Sequence, residues 1–402
     1  MSLAKNLALL RHLPKVDGLR LAEFGRSADV SSPLEEVTGF GDNPGNLRMF
    51  AFVPAQLQKP RALVVVLHGC GQTAASYDLG AGWSTLAQHY GFALVMPEQQ
   101  RINNGNTCFN WFNPEDTARD GGEARSIREM IAHMAEAHRI DPRRVFITGL
   151  SAGGGMTSVM LATYPEVFAA GAVIAGLPYG IASNLREALD GMFHSPARPE
   201  RELGDLVRRA SNHRGPWPKI SVWHGSADRT VNPGNASEIV KQWLDLHDLP
   251  AAPMAETIVD GYPRQAWWNK DGETLVESYA ITDMAHGTPL GLADNDQRYG
   301  LEGAFLIEAG ISSSYHIAKF FGLTGWIADA ARTKIEAGSS TSKPATSTPA
   351  TSKPVLSPAP HLARSIRAAV AEEPAALKRE KARGLDLGQI ITRALTAAGL
   401  MK

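Results

Sequence analysis

Residues 149–153 read Gly-Leu-Ser-Ala-Gly, the Gly-x-Ser-x-Gly form in which the hydroxyl of Ser151 can act as a nucleophile. A strand-like run, 145–148, enters this turn and an apolar helical stretch leaves it, as the motif requires. The glycines suit a sharp, strained turn that would expose the hydroxyl. A glycine-rich turn or phosphate cradle without a nucleophile is the alternative, and the flanking elements favour the nucleophile.

A nucleophilic serine needs a base to accept its proton and an acid to orient that base. Where the nucleophile lies in such a turn, the acid and then the base follow it along the chain. Asp228 comes just after the strand-like run 220–223, and His286 comes in the loop after 274–281. Their order and strand-end positions predict that Asp228 is the acid and His286 the base.

Three other residues compete for these roles. Asp283 is the reserve candidate for the acid, since it lies beside the same strand end. His224 is a poorer base because it precedes the acid, and His316 is poorer because it lies in an apparent helix. Asp228 and His286 therefore stay the preferred pair.

Two backbone N–H groups could stabilise the negative charge that develops when a carbonyl group is attacked. One is that of Ala152, at the start of the predicted helix. The other is that of Cys70, in the run LHGCGQ that follows the early strand 63–67. His68 is expected to brace this loop rather than to titrate in catalysis. No metal or organic cofactor is expected, because three side chains and two amides suffice for attack of a serine on a carbonyl group.

Large aromatic residues could form an apolar wall beside the serine. Trp111 and Phe112 follow the second cysteine, Cys108, and for Phe112 a core position is equally expected. Trp267 and Trp268 lie in a polar stretch before a strand, where burial is less natural. We therefore predict substrate contacts for Trp111, Trp267 and Trp268.

Strand-like and helical runs alternate along the middle of the chain. The predicted strands are 48–53, 63–67, 93–96, 145–148, 170–175, 220–223 and 274–281, and the predicted helices are 123–140 and 156–164. Such alternation predicts an α/β fold with a mainly parallel central sheet and helices on both faces. The run 48–53 is expected to pair antiparallel at the edge. With the serine turn, this pattern predicts an α/β-hydrolase fold.

The 402 residues have a net charge of −1 and 44% hydrophobic content, which gives no electrostatic case for nucleic acid. No apolar run approaches the roughly 20 residues that span a bilayer, and residues 1–13 resemble an amphipathic arm rather than a signal peptide.

We predict an N-terminal arm at 1–45, a catalytic domain at 46–335, a disordered Ser/Thr/Pro-rich linker at 336–362 and a helical tail at 363–402.

Several runs together resemble the polyhydroxybutyrate depolymerase family of esterases, which includes feruloyl and acetylxylan esterases. They are LHGCGQ, the segment from Cys108 to Phe112, DPRRVFITGLSAGGGMT, WHGSADRTV and AHGTP. The resemblance spans roughly residues 46–322. It implies Ser151, Asp228 and His286 as the triad, and a disulfide between Cys70 and Cys108.

Three functions follow as hypotheses. The first is hydrolysis of a poly(3-hydroxyalkanoate) or a short hydroxyester through an acyl-enzyme, and the second is removal of feruloyl or acetyl groups from carbohydrate. The third is a protein that binds a polymer granule or partner through its C-terminal helix. The AHGTP form and the lack of an evident export signal resemble the branch that acts inside cells. A cytoplasmic, granule-associated location is therefore expected, with an extracellular one as the alternative.

Overall fold

The computed structural model of the chain describes residues 31–59 and 61–325. The predicted linker at 336–362 and the predicted helix within 363–402 lie outside the described residues, as do residues 1–30 of the predicted arm. What the structure describes is therefore most of the predicted catalytic domain and the last part of the arm.

Ten strands of the described region form one sheet. They are β1 (Glu35–Val37), β2 (Arg48–Phe52), β3 (Leu63–Leu67), β4 (Ala93–Glu98), β5 (Val145–Leu150), β6 (Ala170–Ile174), β7 (Lys219–Gly225), β8 (Ala255–Val259), β9 (Tyr262–Trp268) and β10 (Thr274–Ile281). Their order across the sheet is β1-β2-β4-β3-β5-β6-β7-β10-β9-β8. The strands from β4 to β10 in this order pair in parallel, and those on both flanks pair antiparallel. The predicted, mainly parallel sheet is confirmed.

The central strands are apolar on both faces. β3 reads LVVVL and β5 reads VFITGL, and every residue of both strands is buried. Continuous apolar, β-branched runs of this kind suit parallel strands that are covered on both sides. These two strands pair directly, with Leu67 opposite Gly149, so their carboxyl ends reach the same edge of the sheet.

The helices that the structure describes are α1 (Ala74–Ala81), α2 (Trp83–Tyr90), α3 (Pro114–Thr117), α4 (Gly122–His138), α5 (Ala152–Thr163), α6 (Leu185–His194), α7 (Glu200–Ala210), α8 (Gly234–His247) and α9 (Ser313–Phe320). In α4, which corresponds to the predicted helix 123–140, the apolar face that includes Ile127, Met130 and Met134 is buried. Helix α5 is buried along its whole length. Among the described helices, none has the length and apolar character needed to cross a membrane.

The sheet begins earlier in the chain than predicted. β1 lies within the predicted arm at 1–45, yet it pairs antiparallel with β2. β2 pairs antiparallel with β4, as expected, but it is not the edge strand, because β1 covers its outer side. Two of the three residues of β1 are exposed glutamates, so the sequence carries little hydrophobic signal for this strand.

Three further regions were not expected from the sequence. β8 and β9 form an antiparallel extension beyond β10, and α6 and α7 lie between β6 and β7. After β10, β11 (Thr288–Leu290) pairs in parallel with β12 (Leu306–Glu308). This two-stranded sheet supports the loop that follows the predicted base.

Candidate active site

The serine turn joins β5 to α5. Ser151 has φ 58° and ψ −118°, a conformation that costs free energy in an L-residue and is typical of functional turns. Its N–H donates to Ile174 O at 2.9 Å, and the Gly155 N–H donates to Ser151 O at 2.8 Å. These bonds hold the strained serine at the carboxyl end of β5, where it is 9% exposed.

Close packing explains why glycines flank the serine. A Cβ on Gly149 would lie 2.4 Å from Gly153 O, and a Cβ on Gly153 would lie 2.5 Å from the carbonyl oxygens of Leu67 and His68. Real Cβ atoms do not approach backbone so closely, so larger residues would push these segments apart. The same distances show that the loop after β3 packs directly on the first turn of α5.

Asp228 and His286 meet at the same edge of the sheet. His286 Nδ1 lies 2.7 Å from Asp228 Oδ2, and since an ionised carboxylate only accepts, Nδ1–H is the donor. The other oxygen, Oδ1, accepts from the N–H groups of Thr230 at 2.8 Å and Val231 at 2.9 Å. The Asp228 side chain is fully buried and that of His286 is 8% exposed.

The surroundings of Asp228 keep it charged. Burial alone would raise the pKa of its carboxyl group, but hydrogen bonds from His224 and His286 outweigh burial and hold the pKa well below its usual range. Asp228 is therefore ionised at neutral pH. With the Nδ1–H of His286 donated to this carboxylate, the lone pair of the ring is on Nε2.

Backbone contacts connect the serine to this pair. Ser151 bonds to Ile174 at the end of β6, and the next N–H, that of Ala175, donates to Trp223 O of β7 at 2.8 Å. β7 pairs in parallel with β10, the strand that leads to His286. Since neighbouring strands lie about 4.8 Å apart, the carboxyl ends of β5, β7 and β10 bring these three predicted residues to one region.

The two predicted oxyanion amides belong to the first turn of α5 and to the loop after β3. Ala152 is the first residue of α5, and the first N–H groups of a helix have no partner within it. In the loop after β3, the Gly69 N–H donates to Gln72 Oε1 at 2.9 Å and the Gly71 N–H donates to Asn106 O at 2.8 Å. These bonds fix the backbone on both sides of Cys70. A disulfide joins Cys70 to Cys108, as the family resemblance implies.

His68 has the structural role expected of it. Its Nδ1 lies 2.8 Å from Gly69 O and its Nε2 accepts from the Gln99 N–H at 3.1 Å, which places the proton on Nδ1. Complete burial lowers the pKa of this imidazole from 6.5 to about 4, although the bond to Gly69 opposes the shift. His68 is therefore neutral at pH 7 and braces the loop that carries Cys70.

Sequence reasoning missed a buried glutamate beneath these loops. Glu123 accepts hydrogen bonds from Gln99 Nε2 and from both the N–H and the side-chain amide of Asn110. Burial, with Asp116 nearby, raises its pKa to about 8, and the three donors oppose that shift. An acidic residue in the first turn of a helix usually faces solvent, so this network could not be predicted from the sequence. It links the His68 loop to the Trp111 loop.

Trp111 lies against the helix that follows the serine. A Cβ on Gly155, four residues after Ser151, would lie 2.7 Å from Trp111 Cγ, so the indole packs on the first turn of α5. Trp111 is 8% exposed, and Phe112 contacts it edge-on at 5.5 Å between ring centroids. This placement is compatible with an apolar wall at the site.

The prediction of substrate contacts for Trp267 and Trp268 is wrong. Trp268 pairs with Thr274, the first residue of β10, whereas His286 follows the last residue of that strand. At about 3.3 Å per residue, the two tryptophans lie at the opposite end of the sheet. Trp267 is 2% exposed and donates its indole N–H to Ala252 O. The polar residues around the pair carry little signal for the strand β9, in which Ala266 and Trp267 are buried.

The structure also shows the positions of the alternative candidates for the acid and the base. Asp283 is exposed and its N–H donates to Ser226 Oγ, so it is not the carboxylate that pairs with His286. His224 lies beside Asp228 rather than serving as an alternative base at the serine. His316 pairs with Asp260, and with Asp294 these two form the cluster of potential metal ligands found among the described residues.

A strained serine after a central parallel strand, with a buried Asp–His pair at the same edge, defines an α/β-hydrolase. The family model for esterase PHB depolymerase matches residues 49–259, more than half of the chain. The chain belongs to this family. It is therefore a carboxylic-ester hydrolase.

Related proteins divide between two substrate groups. The chain is 46% identical to poly(3-hydroxyalkanoate) depolymerase C of Paucimonas lemoignei, over 73% of this chain and 70% of that protein. It is 34% identical to feruloyl esterase B of Neurospora crassa, over 65% of this chain and 90% of that protein. Among solved structures, acetyl xylan esterase from Aspergillus awamori matches with TM-score 0.61 and 26% identity, over 72% of this chain and 99% of that chain.

Proposed function

We propose that Ser151 is the nucleophile of this esterase, His286 its general base and Asp228 the residue that orients His286. The observation that carries this proposal is the 2.7 Å bond from His286 Nδ1 to Asp228 Oδ2, at the edge of the sheet where the strained turn presents Ser151. It leaves the lone pair of His286 on Nε2, the nitrogen that a serine base must use.

In the proposed reaction, Ser151 Oγ attacks the ester carbonyl carbon while its proton passes to His286 Nε2. The carbonyl oxygen takes the negative charge, and Asp228 stabilises the imidazolium that forms. As the intermediate collapses, the C–O bond to the alcohol breaks and His286 protonates the leaving oxygen. Water then attacks the acyl-serine with the same base and releases the carboxylic acid.

The backbone N–H groups of Cys70 and Ala152 are proposed to bind the oxyanion. The loop of Cys70 and the first turn of α5 contact each other through Gly153 and the carbonyl groups of Leu67 and His68. Donors fixed before the reaction cost no reorganisation in the transition state, and one such donor contributes about 10²–10³-fold to kcat in a serine hydrolase.

A poly(3-hydroxyalkanoate) or a short hydroxyester is the proposed substrate. The chain shares 46% identity with a poly(3-hydroxyalkanoate) depolymerase and 34% with a feruloyl esterase, which favours the polyester. Trp111, beside the first turn of α5 and 8% exposed, would offer its remaining surface to an aliphatic acyl chain.

A carbohydrate esterase is the second candidate. Its support is that a feruloyl esterase and an acetyl xylan esterase match along 90% and 99% of their own lengths. The chemistry at Ser151 would be the same, so only substrate selectivity separates the two candidates.

A substrate panel tests both. Purified protein and its Ser151→Ala variant are assayed on poly(3-hydroxybutyrate), its soluble trimer, methyl ferulate and acetylated xylan. We expect the wild type to release 3-hydroxybutyrate and the variant to release none, with unchanged melting temperature. Turnover of ferulate or xylan alone would favour the second candidate, and turnover by the variant would refute Ser151 as nucleophile.

We also propose that the enzyme works in an oxidising compartment. The disulfide between Cys70 and Cys108 is the support, because such bonds persist mainly outside reducing cytoplasm. This favours the extracellular alternative over the cytoplasmic location expected from the sequence. The granule or partner contact predicted for residues 363–402 stays a prediction, since those residues lie outside the described part of the chain.

A further inference from the structure

His224 is the second-last residue of β7, four residues before Asp228, and the proposed reaction gives it no role. Its side chain is 3% exposed. Its Nε2 lies 2.9 Å from Val231 O and 3.2 Å from Asp228 Oδ2. Both atoms are acceptors, so Nε2 carries a proton. His224 therefore directs an N–H toward the same carboxylate oxygen that accepts from His286.

The second ring nitrogen has no comparable contact. Nδ1 of His224 is buried and has no hydrogen-bond partner in the part of the chain that the structure describes. A proton on Nδ1 would be buried without an acceptor, which is costly. The ring is thus held as a donor through Nε2.

The contact with Val231 closes a small turn. The Val231 N–H donates to Asp228 Oδ1 while the Val231 carbonyl accepts from His224. His224 thereby fixes residues 228–231, whose backbone holds one oxygen of Asp228. Its N–H dipole faces the other oxygen. One buried ring thus constrains both the position and the charge of the carboxylate.

We propose that His224 is a positioning residue that holds the Asp228 turn and draws negative charge away from His286. This proposal rests on the proposed roles of Ser151, Asp228 and His286. With the donor removed, Asp228 Oδ2 presents more negative charge to His286 and stabilises its protonated form. The base would then stay protonated, and inactive, up to a higher pH.

The groups around the carboxylate allow this effect to be assigned. Within the described residues, the titratable side chains in contact with Asp228 are His224, from the end of β7, and His286, from the loop after β10. Arg229 and Asp283, the neighbouring charged residues of these two loops, are exposed, where solvent and salt weaken their influence.

Two matched variants test the proposal. The amide of His224→Gln reaches the position of Nε2, whereas the amide of His224→Asn ends near the position of Nδ1. For H224N on p-nitrophenyl acetate we expect kcat to fall about tenfold, KM to stay within about twofold, and the acid midpoint of kcat/KM to rise about half a pH unit. H224Q is expected to keep a midpoint close to that of the wild type.

An unchanged midpoint in H224N, or an equal shift in H224Q, would overturn the proposal, and so would a loss of activity that merely follows a lower melting temperature. If H224N melts below the assay temperature, His224→Phe keeps a ring without a donor and should show the same shift. Ser151→Ala and His286→Gln serve as controls. If those two variants keep turnover, the proposed function is refuted. If they are inactive but the acid midpoint of kcat/KM does not shift in H224N, only the inference about His224 is refuted.

Discussion

Two aspartate–histidine pairs lie toward the same edge of the sheet, and their surroundings differ. His286 lies 2.7 Å from Asp228, and His316 lies 2.8 Å from Asp260, in the turn between β8 and β9. The Asp228 side chain is fully buried and accepts two backbone N–H groups, whereas that of Asp260 is 36% exposed. Residue types and distance alone therefore do not identify a catalytic pair.

The ring nitrogens differ as well. His286 uses Nδ1 toward its aspartate, which leaves Nε2 for the serine, while His316 uses Nε2. His316 also lies on α9, packed near the rings of Trp223 and Tyr279. We infer that burial of the carboxylate, the choice of nitrogen and the neighbouring strained serine make the first pair catalytic.

The largest expected effect on activity comes from removing the histidine of each aspartate–histidine pair in a separate variant. His286→Gln should lower kcat/KM for a soluble ester about 10⁴-fold or more, because it removes the base. His316→Gln should change it by no more than about threefold, since its interactions are structural. Steady-state kinetics of both variants, with thermal melts, checks the prediction. Comparable losses of activity would show that the two pairs cannot be distinguished by their surroundings.

The two tryptophan regions extend the comparison. Trp111→Ala is expected to lower kcat/KM more for butyrate than for acetate esters, because Trp111 packs beside the serine helix. Trp267→Ala should leave kcat/KM unchanged below its melting temperature but lower the free energy of unfolding by about 3–5 kcal/mol. Ester chain-length series and denaturant unfolding measure both. If only Trp267→Ala changed the preference for acyl chain length, the substrate would lie near Trp267 and not near Trp111.

Local patterns predicted the centre of this molecule well and its flanks poorly. β3 has the predicted bounds, because its continuous apolar run reveals a strand that is covered on both faces. β10 also has the predicted bounds, although its sequence is mixed. β1 and β9 carry charged or mixed residues, and only pairing with a neighbour makes them strands. The same limit applies to the site, where motif order located Ser151, but the contacts of Glu123 with Gln99 and Asn110 depend on how separate loops fold together.

Removal of the disulfide should lower activity less than the loss of His286 does. The cysteines are 38 residues apart, so in the chain-entropy model Cys70→Ser with Cys108→Ser costs about 3–4 kcal/mol of unfolding free energy. We also expect kcat to fall about tenfold with little change in KM, since the Cys70 N–H is less firmly placed. Melting curves and kinetics with and without reductant test this. An unchanged kcat would argue against Cys70 as an oxyanion donor.

The smallest expected effect on activity concerns His68, which has a structural role in the loop after β3. Its pKa is about 4 in the folded protein and near 6.5 when unfolded, so the unfolded chain binds more protons between these values. Its contribution to stability is therefore complete above pH 6.5 and falls by at most about 3 kcal/mol as pH decreases toward 4.

His68→Asn should flatten this part of the pH dependence. His247, whose pKa burial also lowers to about 4, gives a matched control, because His247→Gln should flatten the dependence equally but leave kcat intact. Denaturant unfolding at pH 7 and pH 4.5 measures both. Only the His68 variant should also lower kcat at pH 7, because its ring bonds to Gly69 and Gln99 hold the Cys70 loop. Equal kcat in the two variants would mean that this loop needs no brace from His68.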